Sequence, residues 1–85
     1  MLKLNKWSVS NVTSMERLFM MNQSFNQALN NWDTSKVTNM DGMFAYTIFN
    51  QDISQWSVGN VSSWNAFNLA GMLAEENTPK FKNKY

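Results

Sequence analysis

Trp32-Asp33-Thr34-Ser35-Lys36-Val37-Thr38-Asn39-Met40-Asp41-Gly42-Met43-Phe44 decides the reading of this chain, because it has counterparts on both sides. Its first half matches Trp7-Ser8-Val9-Ser10-Asn11-Val12-Thr13 upstream and Trp56-Ser57-Val58-Gly59-Asn60-Val61-Ser62 downstream, at separations of 25 and 24 residues. Met40, Met43 and Phe44 match Met15, Leu18 and Phe19. Further out, Phe25-Asn26-Gln27-Ala28-Leu29 matches Phe49-Asn50-Gln51-Asp52-Ile53, and Leu4, Leu29 and Ile53 fill one slot three places before each tryptophan. Self-similarity at a fixed period marks a tandem-repeat architecture. The units run over about 7–31, 32–55 and 56–81 of a single repeat domain spanning 1–85.

Within a unit, a hydroxyl residue precedes an acid or amide by three places: Thr13 and Glu16, Thr38 and Asp41, Ser62 and Asn65. That spacing predicts a capping box at a helix start. Met15, Leu18 and Phe19, like Met40, Met43 and Phe44, then keep the i, i+3, i+4 stripe of a short helix packed by one face. Around each tryptophan the even spacing of Trp32 and Thr34, or Trp7 and Val9, predicts a short strand. The expected fold is therefore an α/β, leucine-rich-repeat-like solenoid with one short strand and one short helix per 24–25-residue repeat and parallel strands. Strands stack about 4.8 Å apart and helices about 8–10 Å, so such an array curves with its strands inside. The recurrent Asn26-Gln27 and Asn50-Gln51 pairs are expected to hydrogen-bond turn backbone at the same place in each unit. Trp32 is expected to be buried between the first and third units.

Composition narrows the function. An 85-residue chain buries only about 60–65% of its unfolded surface. With no cysteine it has no disulfide or thiolate metal site to add stability. With no histidine either, a metal site would rest on carboxylates and carbonyls, which suit calcium or magnesium, and no acid spacing asks for one. Catalysis wants a nucleophile with a base, paired carboxylates or a metal. Asp33, Asp41 and Asp52 share a unit but are expected on strand, helix start and turn, and adjacent Glu75 and Glu76 diverge. The chain reads as a non-enzyme with no catalytic, cofactor or metal residues. Its few basic residues before position 80 make no footprint for nucleic acid, and the Lys80–Tyr85 run reads as a solvated end. No apolar run approaches the ~18 residues of a transmembrane segment. The Asn-X-Ser/Thr triplets at Asn11, Asn22 and Asn60 formally match glycosylation acceptors, but Asn11-Val12-Thr13 is itself repeat sequence and Lys36 fills that slot in the second unit.

Phe49-Asn50-Gln51-Asp52-Ile53-Ser54-Gln55-Trp56, together with the segment 32–44, closely resembles the BspA-like bacterial surface-protein repeat, a leucine-rich-repeat-related family of lipoproteins and adhesins. The resemblance covers about Leu4 to Phe81 and is specific in the order Phe-Asn-Gln, Trp, Val-Thr, Met-Phe. It implies an extracellular or bacterial cell-surface protein, any signal or lipid anchor lying outside this chain, that binds host matrix or cell-surface proteins. The third unit departs from the pattern, with Trp64 for methionine, Asn68 for phenylalanine and a helical stretch running on to a stop at Pro79. It is expected to be a capping repeat, the chain being the C-terminal fragment of a longer array. The first unit lacks its Phe-Asn-Gln portion, so an uncapped edge open to self-association is expected there. The expected function is an adhesin-like protein-binding surface, with contacts at the small polar residues beside each tryptophan: Ser8, Ser10, Asp33, Ser35, Ser57 and Gly59. The alternative is a passive structural spacer or stalk with no ligand of its own.

Overall fold

A computed structural model describes residues 3–81. Among them there is no α-helix and no β-strand: regular structure is limited to 3-10 turns at Leu4–Lys6 and Glu75–Asn77. Isolated parallel bridges join Ser14 to Asn39 and Asn39 to Ser63. The α/β solenoid with a strand and a helix per repeat is overturned, and the curvature argued from strand and helix spacing goes with it. What replaces both elements is a succession of tight turns, hydrogen-bonded from each unit to the next.

The predicted helix fails for a specific reason. Over 15–22, only alternate N–H groups bond locally, each three residues back: Leu18 to Met15, Met20 to Arg17 and Asn22 to Phe19. The N–H groups between them leave the unit. Met15, Arg17, Phe19 and Met21 donate to the carbonyls of Asn39, Asp41, Met43 and Ala45 at 2.8–3.0 Å. Met40, Gly42, Phe44 and Tyr46 repeat the pattern onto Ser63, Asn65, Phe67 and Leu69. An α-helix would keep all these N–H groups to itself. Its right-handed backbone is also broken every fourth residue, since Arg17 and Met21, Gly42 and Tyr46, Ala66 and Ala70 all have φ between 54° and 64°. Only Gly42 meets that conformation without a steric cost. The capping boxes dissolve with the helix. The Asp41 carboxylate accepts from Asn65 N–H at 2.8 Å and Ser63 Oγ at 2.6 Å, in the next unit.

The predicted strand is absent among the described residues, and only the alternation expected of it is found at Trp32–Thr34. Trp32 and Thr34 are both buried with exposed Asp33 between them, as even spacing requires. The backbone then turns instead of running on. Val12, Val37 and Val61 each donate to the carbonyl three residues back at 3.0 Å. A second turn leads into each tryptophan, with Trp7, Trp32 and Trp56 N–H bonded to Leu4, Leu29 and Ile53.

The core lies between units, in columns of like side chains. Phe19 stacks on Phe44 at 5.5 Å, Phe25 on Phe49 at 5.7 Å and Trp32 on Trp56 at 6.2 Å. Each such pair is worth about 0.5–1.5 kcal/mol beyond the area it buries. The indoles are pinned as well: Trp32 Nε1 donates to Leu4 O at 2.6 Å and Trp56 Nε1 to Leu29 O at 2.9 Å. The Asn-Gln pairs bond backbone as expected, but across units: Asn26 Oδ1 takes Asn50 N–H, and Asn50 Oδ1 takes Ala74 N–H.

The third unit closes differently, and its predicted long helix is absent. Asn68, in the slot of Phe19 and Phe44, bonds Leu73 through both amide atoms, Nδ2 to O at 2.9 Å and Oδ1 from N–H at 3.4 Å. Gly71 sits against this bracket. A Cβ there would lie 2.2 Å from Asn68 Oδ1 and 2.8 Å from Phe44 O. Phe81 folds back flat on Trp64 at 5.0 Å and edge-on to Phe67 at 5.0 Å. Of the run read as a solvated end, Lys80 is exposed, Phe81 is buried, and the remainder, 82–85, lies outside the described residues.

Candidate functional site

Three turns of identical form bring the sequence-derived contact residues together. Val9–Val12, Thr34–Val37 and Val58–Val61 are each closed by a bond three residues long. Ser10, Ser35 and Gly59 hold the second position of these turns, and Ser8, Asp33 and Ser57 stand one residue before them. Bonds between units put the corners side by side. Lys36 Nζ reaches Asn11 Oδ1 at 3.2 Å, Asn60 Nδ2 reaches Ser35 O at 2.7 Å, and the buried Thr34 Oγ1 reaches Ser57 O at 2.9 Å. The outcome is one polar ridge crossing all three units. Ser8, Asp33, Ser57 and Gly59 are exposed on it, and Ser10 and Ser35 are half-buried.

The chemistry of the ridge is that of small hydrogen-bonding groups with a single carboxylate. Asp33 Oδ1 accepts the Ser35 hydroxyl at 2.7 Å and the Ser35 N–H at 3.0 Å. These two bonds, the hydroxyl first, hold the Asp33 carboxyl below the usual carboxylate range. The same local arrangement recurs off the ridge, where Ser54 lowers Asp52 in the same way. Sequence reasoning missed the third turn position, Asn11, Lys36 and Asn60, whose side chains form the links along the ridge. Their recurrence beside Ser10, Ser35 and Gly59 was the available signal, since Ser-Asn and Gly-Asn pairs favour turns.

A shallow hollow of about 280 Å³ lies elsewhere, among Asn30, Gln51, Asp52, Gln55 and Trp56. None of the six ridge residues lines it, and Trp56 is buried there, so it offers no aromatic platform. Among the described residues no group of three or more acids could hold a metal ion, and no helix is long and apolar enough to cross a membrane.

No curated protein and no solved structure matches the chain. One family model does, over residues 2–83, and it covers every unit of the stack together with the closing segment through Phe81. With nearly its whole length matched, the chain belongs to the family described as Mycoplasma protein of unknown function, DUF285.

Proposed function

We propose that this chain is a non-enzymatic module of a bacterial cell-surface or secreted protein, of BspA-like affinity, whose turn ridge binds a protein partner in the manner of an adhesin. The observation that carries this reading is the ridge itself: the same corner of every unit presents small polar groups, aligned by bonds from one unit to the next. Periodic, pre-ordered polar positions suit an extended protein surface, because little side-chain entropy is lost when they are covered. The carboxylates support a non-catalytic role. Asp33 and Asp52 are taken up by Ser35 and Ser54, and Asp41 by Ser63 and Asn65.

The passive spacer remains the second reading, and one observation favours it. Ridge groups already satisfy one another, Asp33 with Ser35 and Lys36 with Asn11, as a purely structural ridge would. Binding of the purified chain to a panel of immobilised extracellular-matrix proteins separates the two. The adhesin reading expects saturable binding to at least one of them, lost about tenfold or more in a Ser8→Arg, Ser57→Arg double variant that melts like the parent. Folded protein that binds none of them supports the spacer.

A further inference from the structure

We propose that the face lined by the recurrent asparagines and glutamines binds an uncharged linear polysaccharide, one sugar residue to a unit. The hollow of about 280 Å³ beside Trp56 has a counterpart of about 350 Å³ one unit back, among Lys3, Asn5, Lys6, Gln27, Ala28 and Asn31. The two are built from the same repeat slots. Asn5 corresponds to Asn30, Gln27 to Gln51 and Asn31 to Gln55, and Ala28 lines both hollows. The inner hollow has chain bonded to it on either side along the stack. Asn5 Nδ2 reaches Asn30 Oδ1 at 3.1 Å from the unit before, and Ile53 N–H donates to Asn77 O at 3.0 Å in the segment after. It is open all the same, as an interior feature of the stack. It lies apart from the polar ridge, and no residue lining it belongs to the turn ribbon, the runs 15–22, 39–46 and 63–70 whose N–H groups bond unit to unit.

The side chains around the inner hollow have bonding capacity to spare. Asn30 Oδ1 accepts from Asn5, and its Nδ2 donates to nothing among the described residues. Gln51 Nε2 is held by Asn26, and its Oε1 accepts nothing among them. Asp52 Oδ1 takes both bonds from Ser54, which leaves Oδ2, and the exposed Gln55 amide bonds to none of them. Donors and acceptors therefore stand together around apolar surface from Ala28, Ile53 and Trp56. A sugar hydroxyl both donates and accepts, and a carboxamide answers with one group of each kind. The C–H surface of the ring suits the apolar floor. A volume just under the range of about 300–1,000 Å³ usual for ligand pockets suits a single ring.

Charge selects among hydroxylated polymers. Lys3 and Lys6 make the first hollow basic, and Asp52 makes the inner one acidic. A polyanion is opposed at one and a polycation at the other, so an uncharged chain is the class that fits both. Parallel bridges set neighbouring units about 4.8 Å apart, close to the length of one residue in an extended glycan. Successive rings then meet successive hollows. Each hollow offers few bonds, and affinity comes from engaging more than one at a time.

Affinity electrophoresis through native gels cast with hydroxyethylcellulose, pullulan, glucomannan or the polyanion polygalacturonate tests this. Wild-type protein is expected to be retarded by at least one of the three uncharged polymers and less by polygalacturonate. Ala28→Arg, which sets a long side chain between both hollows, is expected to weaken that retardation about tenfold or more. Gln55→Ala touches the inner hollow alone and is expected to weaken it by a smaller factor. It carries the test if Ala28→Arg loses its cooperative melt, since the Gln55 side chain is exposed. The Ser8→Arg, Ser57→Arg double variant is expected to be retarded like the parent, which separates this face from the ridge. No retardation by any uncharged polymer, equal retardation by polygalacturonate, folded hollow variants that migrate like the parent, or loss of retardation in the ridge variant would each overturn the proposal.

Discussion

The first and second units share one repeat pattern and have very different surroundings. Trp7 is 52% exposed and Trp32, in the same slot, is 5% exposed. The indole of Trp32 reaches the Leu4 carbonyl one unit back, and Trp7 has no such partner among the described residues. Burial in this fold is therefore conferred by neighbours, not by the unit's own sequence. A unit alone has turns but no interior.

The largest test of that comparison is at the tryptophans. Trp32→Ala is expected to cost about 3–5 kcal/mol, a large part of the 5–15 kcal/mol typical of a whole domain. Trp7→Ala is expected to cost less than about 1 kcal/mol, as surface changes do. Urea denaturation of both variants measures the gap, and equal losses would break the comparison. Next comes the third unit. Gly71→Ala forces a methyl against Asn68 Oδ1 and Phe44 O, and overpacking of this kind costs about 1–3 kcal/mol. A melting temperature unchanged by Gly71→Ala would mean the Asn68 bracket is slack.

The left-handed positions allow a finer comparison across units, because slot 17, 42, 66 holds Arg, Gly and Ala. Gly42→Ala is expected to lose about 1 kcal/mol, the penalty of a side chain in that region. Ala66→Gly is expected to gain roughly 0.5 kcal/mol, the relief being partly offset by backbone entropy. Differential scanning calorimetry resolves both, since 1 kcal/mol shifts a domain of this size by about 4–8 °C. The smallest effect is on acid stability. Asp33 has its carboxyl lowered by Ser35, whereas the first and third units have Ser8 and Ser57 in that slot. Its contribution is present above the unfolded value near pH ~3.9 and is lost as pH falls through the lower folded value. Asp33→Asn is expected to flatten the acid limb of the melting curve slightly, by lowering stability a little at neutral pH while leaving the acid end unchanged. A steeper acid limb in that variant would contradict the assigned bond.

Much of this arrangement was legible in the residues, and what was not has a physical cause. The period, the buried slots and the burial of Trp32 follow from the repeat alone. The helix did not follow. Apolar residues at Met40, Met43 and Phe44 suit a helix, but successive three-residue turns bring the same positions to one face. Gly42 in the middle of the predicted helix was the discriminating residue. A helix of two to three turns gains too little from its own bonds to hold, so bonds to the neighbouring unit win. The strand was misread because alternation reports only which side chains face inward. Ser10-Asn11 and Gly59-Asn60 were the turn signals that should have cut it short. The ridge residues were readable as exposed and polar. Their mutual bonds were not, since each joins positions about 25 apart that only the stack brings together.

The ribbon bonds also fix how such a chain can fold. Each inter-unit ribbon bond spans 23–24 residues, so no part of the ladder can form before two units have met. Closing that first loop is an entropic cost that local bonds three residues long cannot repay. The smallest productive nucleus is therefore a pair of units, and the third zips onto a template that already exists. Folding in a single kinetic phase, with its rate set by the first pairing, is the behaviour such a ladder dictates.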